Sequence, residues 1–155
     1  MKTIASFKID HTKLIPGLYL SRLDDFNGHK VSTFDIRITV PNDEPPMDSA
    51  SMHTIEHLGA TWLRNQEYLG KDVIYFGPMG CKTGFYLVLS GQWAVTDIME
   101  YVKDMFRFIS HAKVIPGVTE KECGNYLHHN LQLAKYYSRE WLRDFKENPQ
   151  IRYPD

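Results

Sequence analysis

Alternation of apolar and polar residues predicts the first strand, over residues 31–40. Apolar side chains at positions 34, 36, 38 and 40 alternate there with polar side chains at positions 33, 35, 37 and 39. Successive side chains of a strand point to opposite faces, so this period of two indicates one buried and one polar face. The proline-rich residues 41–46 end the strand, since proline donates no backbone hydrogen bond and biases its predecessor away from helix.

Three helices are predicted from end signals and helical spacing. The first begins near Asp48 or Ser49, both good N-cap residues, and ends near Leu69, where Gly70 fits a C-cap. Apolar residues at helical spacing predict the second helix over residues 92–110.

The third helix is predicted from Thr119 and Glu122, which match a capping box. This helix would run from residue 120 into the mid-140s, and residues 148–155 would form an irregular tail. Apolar runs at residues 73–76 and 85–89 predict two further strands.

The order of these elements predicts the fold class. Strands and helices are mixed without a regular β-α-β alternation, and the chain has no glycine-rich nucleotide-binding motif. We therefore expect an α+β fold in which a mostly antiparallel sheet packs against helices. The 155 residues fit a single domain, 1–155, with residues 1–140 as its core.

Charge and composition exclude several classes of function. The chain has 18 Lys and Arg against 19 Asp and Glu, a net charge of −1, which argues against nucleic-acid and membrane partners. It has neither the apolar core of a signal peptide nor an apolar run that could span a bilayer, so we expect a cytoplasmic protein. In that reducing compartment, Cys81 and Cys123 are expected to be thiols instead of a disulfide.

The sharpest chemical signal is the HxxEH motif formed by His53, Glu56 and His57. Positions i and i+4 of a helix share a face, so both imidazoles can bind one cation. The neighbouring Glu56 could then move protons at a metal-bound oxygen. The alternative, two solvated histidines beside a carboxylate, stays open from these residues alone.

Cys123 is the leading candidate for a third metal ligand. It lies near the start of the predicted third helix, where the helix dipole favours a thiolate. The alternative is a core position, because Cys123, Leu127 and Leu131 have the spacing of one helical stripe. Four other residues compete as ligands: His11, Glu122, His128 and His129.

Cys81 and Arg37 are further candidates for chemistry. Cys81 lies between Gly80 and Gly84 in a tight loop, where a thiol near a cation could have a lowered pKa and transfer protons. It could equally be a small residue that fills a turn. Arg37 could bind a carboxylate or sugar hydroxyls, or could pair with Asp35 on a solvated strand face.

Six segments in order along the chain together resemble the LuxS family of S-ribosylhomocysteine lyases: residues 6–7, 10–12, 34–37, 53–57, 78–86 and 122–124. The resemblance implies a divalent metal bound by His53, His57 and Cys123. That metal would be iron(II) in the native enzyme, replaceable by zinc or cobalt, with no organic cofactor. The resemblance also implies acid/base roles for Cys81 and Glu56.

The resemblance further implies a homodimer with its active sites between subunits, where Ser6, His11 and Arg37 would bind the substrate. Some members of the family have an aspartate six residues before the catalytic cysteine, whereas this chain has Tyr75. The implied reaction converts S-ribosylhomocysteine to homocysteine and 4,5-dihydroxypentane-2,3-dione, the precursor of the quorum-sensing signal autoinducer-2. It proceeds by carbonyl migration and β-elimination.

Two other functions compete with this one. An HxxEH metallopeptidase would use Glu56 to activate a water molecule on the metal. A metal-binding sensor protein would use the same three ligands without catalysis. Neither alternative needs the thiol of Cys81.

Overall fold

One antiparallel sheet of four strands organises the molecule. The computed structural model describes residues 2–4 and 7–154 and places the strands in the order β1-β2-β4-β3. Their bounds are Gly17–Phe26 for β1, His29–Arg37 for β2, Val73–Pro78 for β3 and Gly84–Ser90 for β4. All three neighbouring pairs are antiparallel, which confirms the predicted sheet type.

Strand β1 was not expected from the pattern of apolar residues. A register shift between Leu20 and Arg22 interrupts its period of two. A two-residue turn of Asn27 and Gly28, with φ of 56° and 90°, joins β1 to β2. Two positive φ angles in succession match the hairpin turn that an Asn-Gly pair favours.

Strand β2 begins two residues earlier and ends three residues earlier than predicted, at Arg37. Beyond Arg37, the N–H groups of Ile38 and Thr39 both donate to the Thr83 carbonyl, at 2.9 and 3.2 Å. Because two successive donors share one acceptor, the regular ladder stops there.

Three helices cover one face of the sheet: α1 (Ser49–Arg64), α2 (Val95–His111) and α3 (Leu131–Glu147). Helix α1 begins as predicted, with the Asp48 carboxylate accepting from the Ser51 N–H at 2.8 Å. The predicted end near Leu69 is wrong, since the helix stops at Arg64 and Gly70 begins a short 3-10 turn. None of the helices in the described part of the chain is long and apolar enough to cross a membrane.

The predicted start of α3, residue 120, is wrong by 11 residues, or about three helical turns, and this changes the surroundings of Cys123. Thr119 and Glu122 close a single isolated turn, in which the Thr119 carbonyl accepts from the Cys123 N–H at 3.0 Å. The helix begins only at Leu131, where Asn130 caps it by accepting from the Leu133 N–H at 3.0 Å. Cys123 therefore lies in an irregular segment, residues 112–130, and not on a helix.

The hydrophobic core fills the space between the sheet and the helices. Its largest fully buried side chains include Phe34, Phe85, Phe106 and Trp141. Trp141 of α3 stacks near Phe106 of α2 at 4.7 Å and donates its indole N–H to the Arg37 carbonyl at 3.0 Å. The core thereby fixes the end of β2, which is where the candidate chemistry begins.

Candidate active site

Four metal-binding side chains converge between α1 and the irregular segment. The ligand atoms of His53, His57, Cys123 and His129 all lie within 4.8 Å of one another. Within this group, His53 Nε2 and Cys123 Sγ lie 3.3 Å apart. The structure thus brings together the three residues expected to bind metal and adds His129, one of the four competing candidates.

The two histidines of the HxxEH motif have their rings oriented by backbone carbonyls. His53 Nδ1 lies 2.8 Å from the His128 carbonyl, and His57 Nδ1 lies 2.8 Å from the Pro116 carbonyl. A carbonyl only accepts, so each Nδ1 carries a hydrogen, which leaves Nε2 as the ring nitrogen that could bind a metal. Metal-binding histidines are commonly oriented in this way.

His129 is oriented by Thr54 of α1. The Thr54 hydroxyl donates to the Ala50 carbonyl at 2.9 Å, so it accepts from His129 Nδ1 at 3.2 Å. Burial, with the neighbouring histidines, lowers the pKa of His129 to about 4, which keeps the ring neutral. Its Nε2 is buried and has no hydrogen-bond partner among the described residues.

This donor set suits a divalent metal. Neutral imidazoles and a thiolate are the ligands preferred by zinc, and they also suit iron(II) and cobalt(II). The buried lone pair on His129 Nε2 is costly without a partner, and a nearby cation would remove that cost. The alternative role of Cys123 in a helical core stripe is wrong, because Leu127, the next residue of that stripe, is 79% exposed.

Glu56 and Cys81 lie on the two sides of one loop, residues 79–83. Glu56 and His53 line a cleft whose other wall includes Met79 and Lys82. Cys81 opens instead into a second cleft, together with Thr83 and His11. Among the described residues, Glu56 thus lines one of these two clefts and Cys81 lines the other.

Cys81 has two neighbours that favour its thiolate form. Its Sγ lies 3.1 Å from the Thr83 hydroxyl and 3.8 Å from Arg37 Nη1. Arg37 Nη1 also donates to Thr83 Oγ1 at 2.5 Å, which leaves the Thr83 hydrogen free to point at the sulfur. Burial alone would raise the pKa of Cys81, but the Thr83 hydrogen bonds and the Arg37 charge outweigh it and lower that pKa.

Arg37 and Asp35 form the expected pair, with Nη2 and Oδ2 2.5 Å apart. The expected solvated surroundings are wrong, since these residues are only 2% and 1% exposed. The segment after α3 crosses this face of the sheet, where the Tyr153 hydroxyl donates to Asp35 Oδ2 at 3.0 Å. Because Tyr153 and Asp35 are 118 positions apart, no local sequence pattern predicts this contact.

The structure places two of the three expected substrate-binding residues near Cys81. Arg37 is buried beside Cys81, and His11 lines the Cys81 cleft while its Nδ1–H donates to the Ile9 carbonyl at 2.9 Å. Ser6 lies outside the described residues. Tyr75 lies on β3 and is 47% exposed.

Comparison with known proteins places the chain in a family. Residues 4–152 match the family described as S-Ribosylhomocysteinase (LuxS). An S-ribosylhomocysteine lyase of Finegoldia magna is 54% identical over 143 residues, covering 92% of this chain and 90% of the relative. The Borreliella burgdorferi and Clostridium acetobutylicum enzymes of that name are 49% and 46% identical over 158 residues each, covering 99% and 100% of this chain and 100% of each relative. The chain therefore belongs to the S-ribosylhomocysteinase (LuxS) family.

Proposed function

We propose that the protein is a metal-dependent S-ribosylhomocysteine lyase that releases homocysteine and 4,5-dihydroxypentane-2,3-dione. The observation that carries this proposal is the pairing of a His/His/Cys cluster with a separate, activated thiol at Cys81. A metallopeptidase would use the cluster and Glu56 but would leave the activated thiol without a role. Family membership over nearly the whole chain favours the lyase.

For the metal, we assign His53, His57 and Cys123 as ligands. A substrate carbonyl would need one open coordination position, so we do not assign His129 as a permanent fourth ligand. We infer iron(II) as the native metal, replaceable by zinc or cobalt. When bound, the ion would act as a Lewis acid that polarises the substrate carbonyl and acidifies the adjacent C–H bonds.

The chain's own residues then move the protons. The Cys81 thiolate removes a proton beside the carbonyl and returns it to the former carbonyl carbon, so the carbonyl moves from C1 to C2 and then to C3. Glu56 accepts the proton from C4, and the C–S bond at C5 breaks with departure of homocysteine thiolate. His11, Arg37 and Ser6 are assigned to substrate binding.

The experiment that tests the reaction measures thiol release. Metal-loaded protein, prepared without oxygen, is mixed with S-ribosylhomocysteine, and free thiol is followed by its reaction with a chromogenic disulfide. Wild type should release thiol, whereas Cys81→Ala should retain metal and release none. A fully metallated wild type that releases no thiol would refute the lyase proposal, and peptide substrates would then be tested.

We further infer that the enzyme is a homodimer with its active sites at the interface. Cys81 and Glu56 line different clefts of one chain, which supports a site that combines Cys81 of one subunit with Glu56 of the other. The sheet face opposite the helices also carries an open groove lined in part by the exposed apolar side chains Phe26 and Tyr75.

Mixed dimers test this arrangement. A dimer of one Cys81→Ala subunit and one His57→Ala subunit has one intact site if each site combines Cys81 of one chain with the metal of the other. Random mixing of the two inactive proteins should then restore about a quarter of the wild-type activity. If each site lies within one chain, the mixture stays inactive and the interface proposal fails while the lyase proposal stands.

A further inference from the structure

The segment after α3 places a tyrosine against the buried charges of β2. Tyr153 donates its hydroxyl hydrogen to Asp35 Oδ2 at 3.0 Å, and its ring stacks on Tyr19 with centroids 4.8 Å apart and planes within 9°. The backbone of the segment is held by a hydrogen bond from the Leu18 N–H to the Gln150 carbonyl at 2.9 Å. Tyr153 is therefore fixed by its ring, its hydroxyl and its neighbouring main chain.

Close approach of this segment depends on Gly17. A Cβ on Gly17 would lie 2.7 Å from both Cβ and the carbonyl oxygen of Gln150, closer than real Cβ contacts. Glycine is thus required where β1 meets the segment that carries Tyr153. This steric fit is an observation independent of the hydrogen bond to Asp35.

Two hydrogen-bond donors stabilise the ionised form of Asp35. Its Oδ2 accepts from both Arg37 Nη2, at 2.5 Å, and the Tyr153 hydroxyl. Its Oδ1 is buried and has no partner among the described residues. Burial raises the pKa of Asp35, while Arg37 and then Tyr153 act to lower that pKa.

The two terminal nitrogens of Arg37 face different groups. Nη2 faces the Asp35 carboxylate, whereas Nη1 bonds Thr83 and lies 3.8 Å from the Cys81 sulfur. The more completely Asp35 is compensated by another donor, the more of the guanidinium charge remains available to a thiolate.

We propose that Tyr153 is a positioning residue for Cys81: by sharing the Asp35 carboxylate, its hydroxyl leaves Arg37 free to stabilise the Cys81 thiolate. The consequence for catalysis rests on the proposed lyase function. The effect of Tyr153 on the Cys81 thiolate does not rest on that function. The experiment below measures the reactivity of this thiol directly.

Among the described residues, further titratable or charged groups near this cluster are Tyr19 and Arg22 from β1, Tyr86 from β4, His11 from the N-terminal segment and Glu44, which lines the Cys81 cleft. Burial raises the pKa of Tyr19 to about 12 and also raises the pKa of Tyr86, so both phenols are neutral near pH 7. His11 is present in every variant below, so a difference between the variants' profiles is due to the substituted group.

The test is Tyr153→Phe, which removes the hydroxyl and keeps the ring that stacks on Tyr19. The rate of Cys81 alkylation by iodoacetamide is measured between pH 5 and 9 on metal-loaded protein, with the Cys81 peptide quantified by mass spectrometry. Tyr68→Phe, at a surface tyrosine, is the matched control. We expect the Tyr153→Phe midpoint to rise by about half a pH unit, with about threefold slower alkylation below the midpoint, and the control to be unchanged.

A double-mutant cycle with Asp35→Asn shows whether Tyr153 acts through the carboxylate. Asp35→Asn alone should lower the Cys81 midpoint, because the competing charge is gone. In that background Tyr153→Phe should cause no further shift. Asp35→Asn is also a test that does not depend on Tyr153→Phe folding.

Three outcomes would overturn the proposal. They are an unchanged or lowered midpoint in folded Tyr153→Phe, a raised midpoint in Asp35→Asn, or the same Tyr153→Phe shift in both backgrounds. Near-ultraviolet circular dichroism establishes that each variant is folded. Alkylation needs no substrate, so the result can be interpreted even if the lyase proposal fails.

Discussion

The hydroxyl of Thr83 should set how much Cys81 thiolate exists at neutral pH. Thr83→Val removes this hydroxyl, which lies 3.1 Å from Cys81 Sγ, and replaces it with a methyl group of similar size. Valine keeps the branched shape in a position that is 6% exposed, so the substitution tests the hydrogen bond more than the packing.

The magnitude follows from the two roles of the hydroxyl. A hydrogen bond to a charged group contributes about 1.5–3 kcal/mol, which corresponds to about one to two pKa units. Solvent screens the partly exposed sulfur, and Arg37 Nη1, having lost Thr83 as an acceptor, turns to Cys81 and offsets part of the loss. We therefore expect the pKa of Cys81 to rise by about one unit.

The assay is again the pH dependence of Cys81 alkylation, with Thr61→Val at an exposed position of α1 as control. A rise of about one unit lowers the thiolate concentration, and hence the alkylation rate below the midpoint, by about tenfold. Turnover below the midpoint should fall in parallel if thiolate is the catalytic base. An unchanged midpoint in folded Thr83→Val would refute the reasoning that Thr83 activates the thiol.

Three further predictions concern the metal, the core and a helix end. Cys123→Ser should lose most of its metal, whereas Cys81→Ala should bind about one metal per chain, as measured by elemental analysis. Gly59→Ala should destabilise the fold by about 1–3 kcal/mol in urea unfolding, because its Cβ would overlap the Phe76 ring, whereas Gly124→Ala, with open space around it, should not. Asn130→Ala should lower the free energy of unfolding by about 1 kcal/mol in the same urea assay, because it removes the cap of α3. It should also weaken metal binding, since the cap positions the segment that carries Cys123 and His129. Unchanged metal affinity would contradict that link.

The sequence was most informative where a local pattern decides the structure. The i, i+4 spacing of His53 and His57 was enough to place both rings on one face of α1, and the Asp48 cap located the start of that helix correctly. The hairpin at Asn27 and Gly28 was not predicted, although an Asn-Gly pair favours such a turn, because the bulge in β1 interrupts the alternation of its apolar residues.

Local pattern failed where a competing contact decides the structure. Thr119 and Glu122 have the spacing of a capping box, yet they close one turn, and Asn130 caps the helix that follows later. Cys123 lies beside the histidines of the possible metal site, but not on a helix, so the expected effect of a helix dipole on its thiol is wrong. His129 was named as a candidate ligand, and only the fold shows that Thr54 orients it.

The contacts that bury the Asp35–Arg37 pair also order events during synthesis. Trp141 and Tyr153 reach β2 across 104 and 118 positions of sequence. Neither contact can form before residues 141 and 153 have been synthesised and have folded back onto β2. Burial of the pair is therefore a late step of folding, because it waits for contacts of large sequence separation.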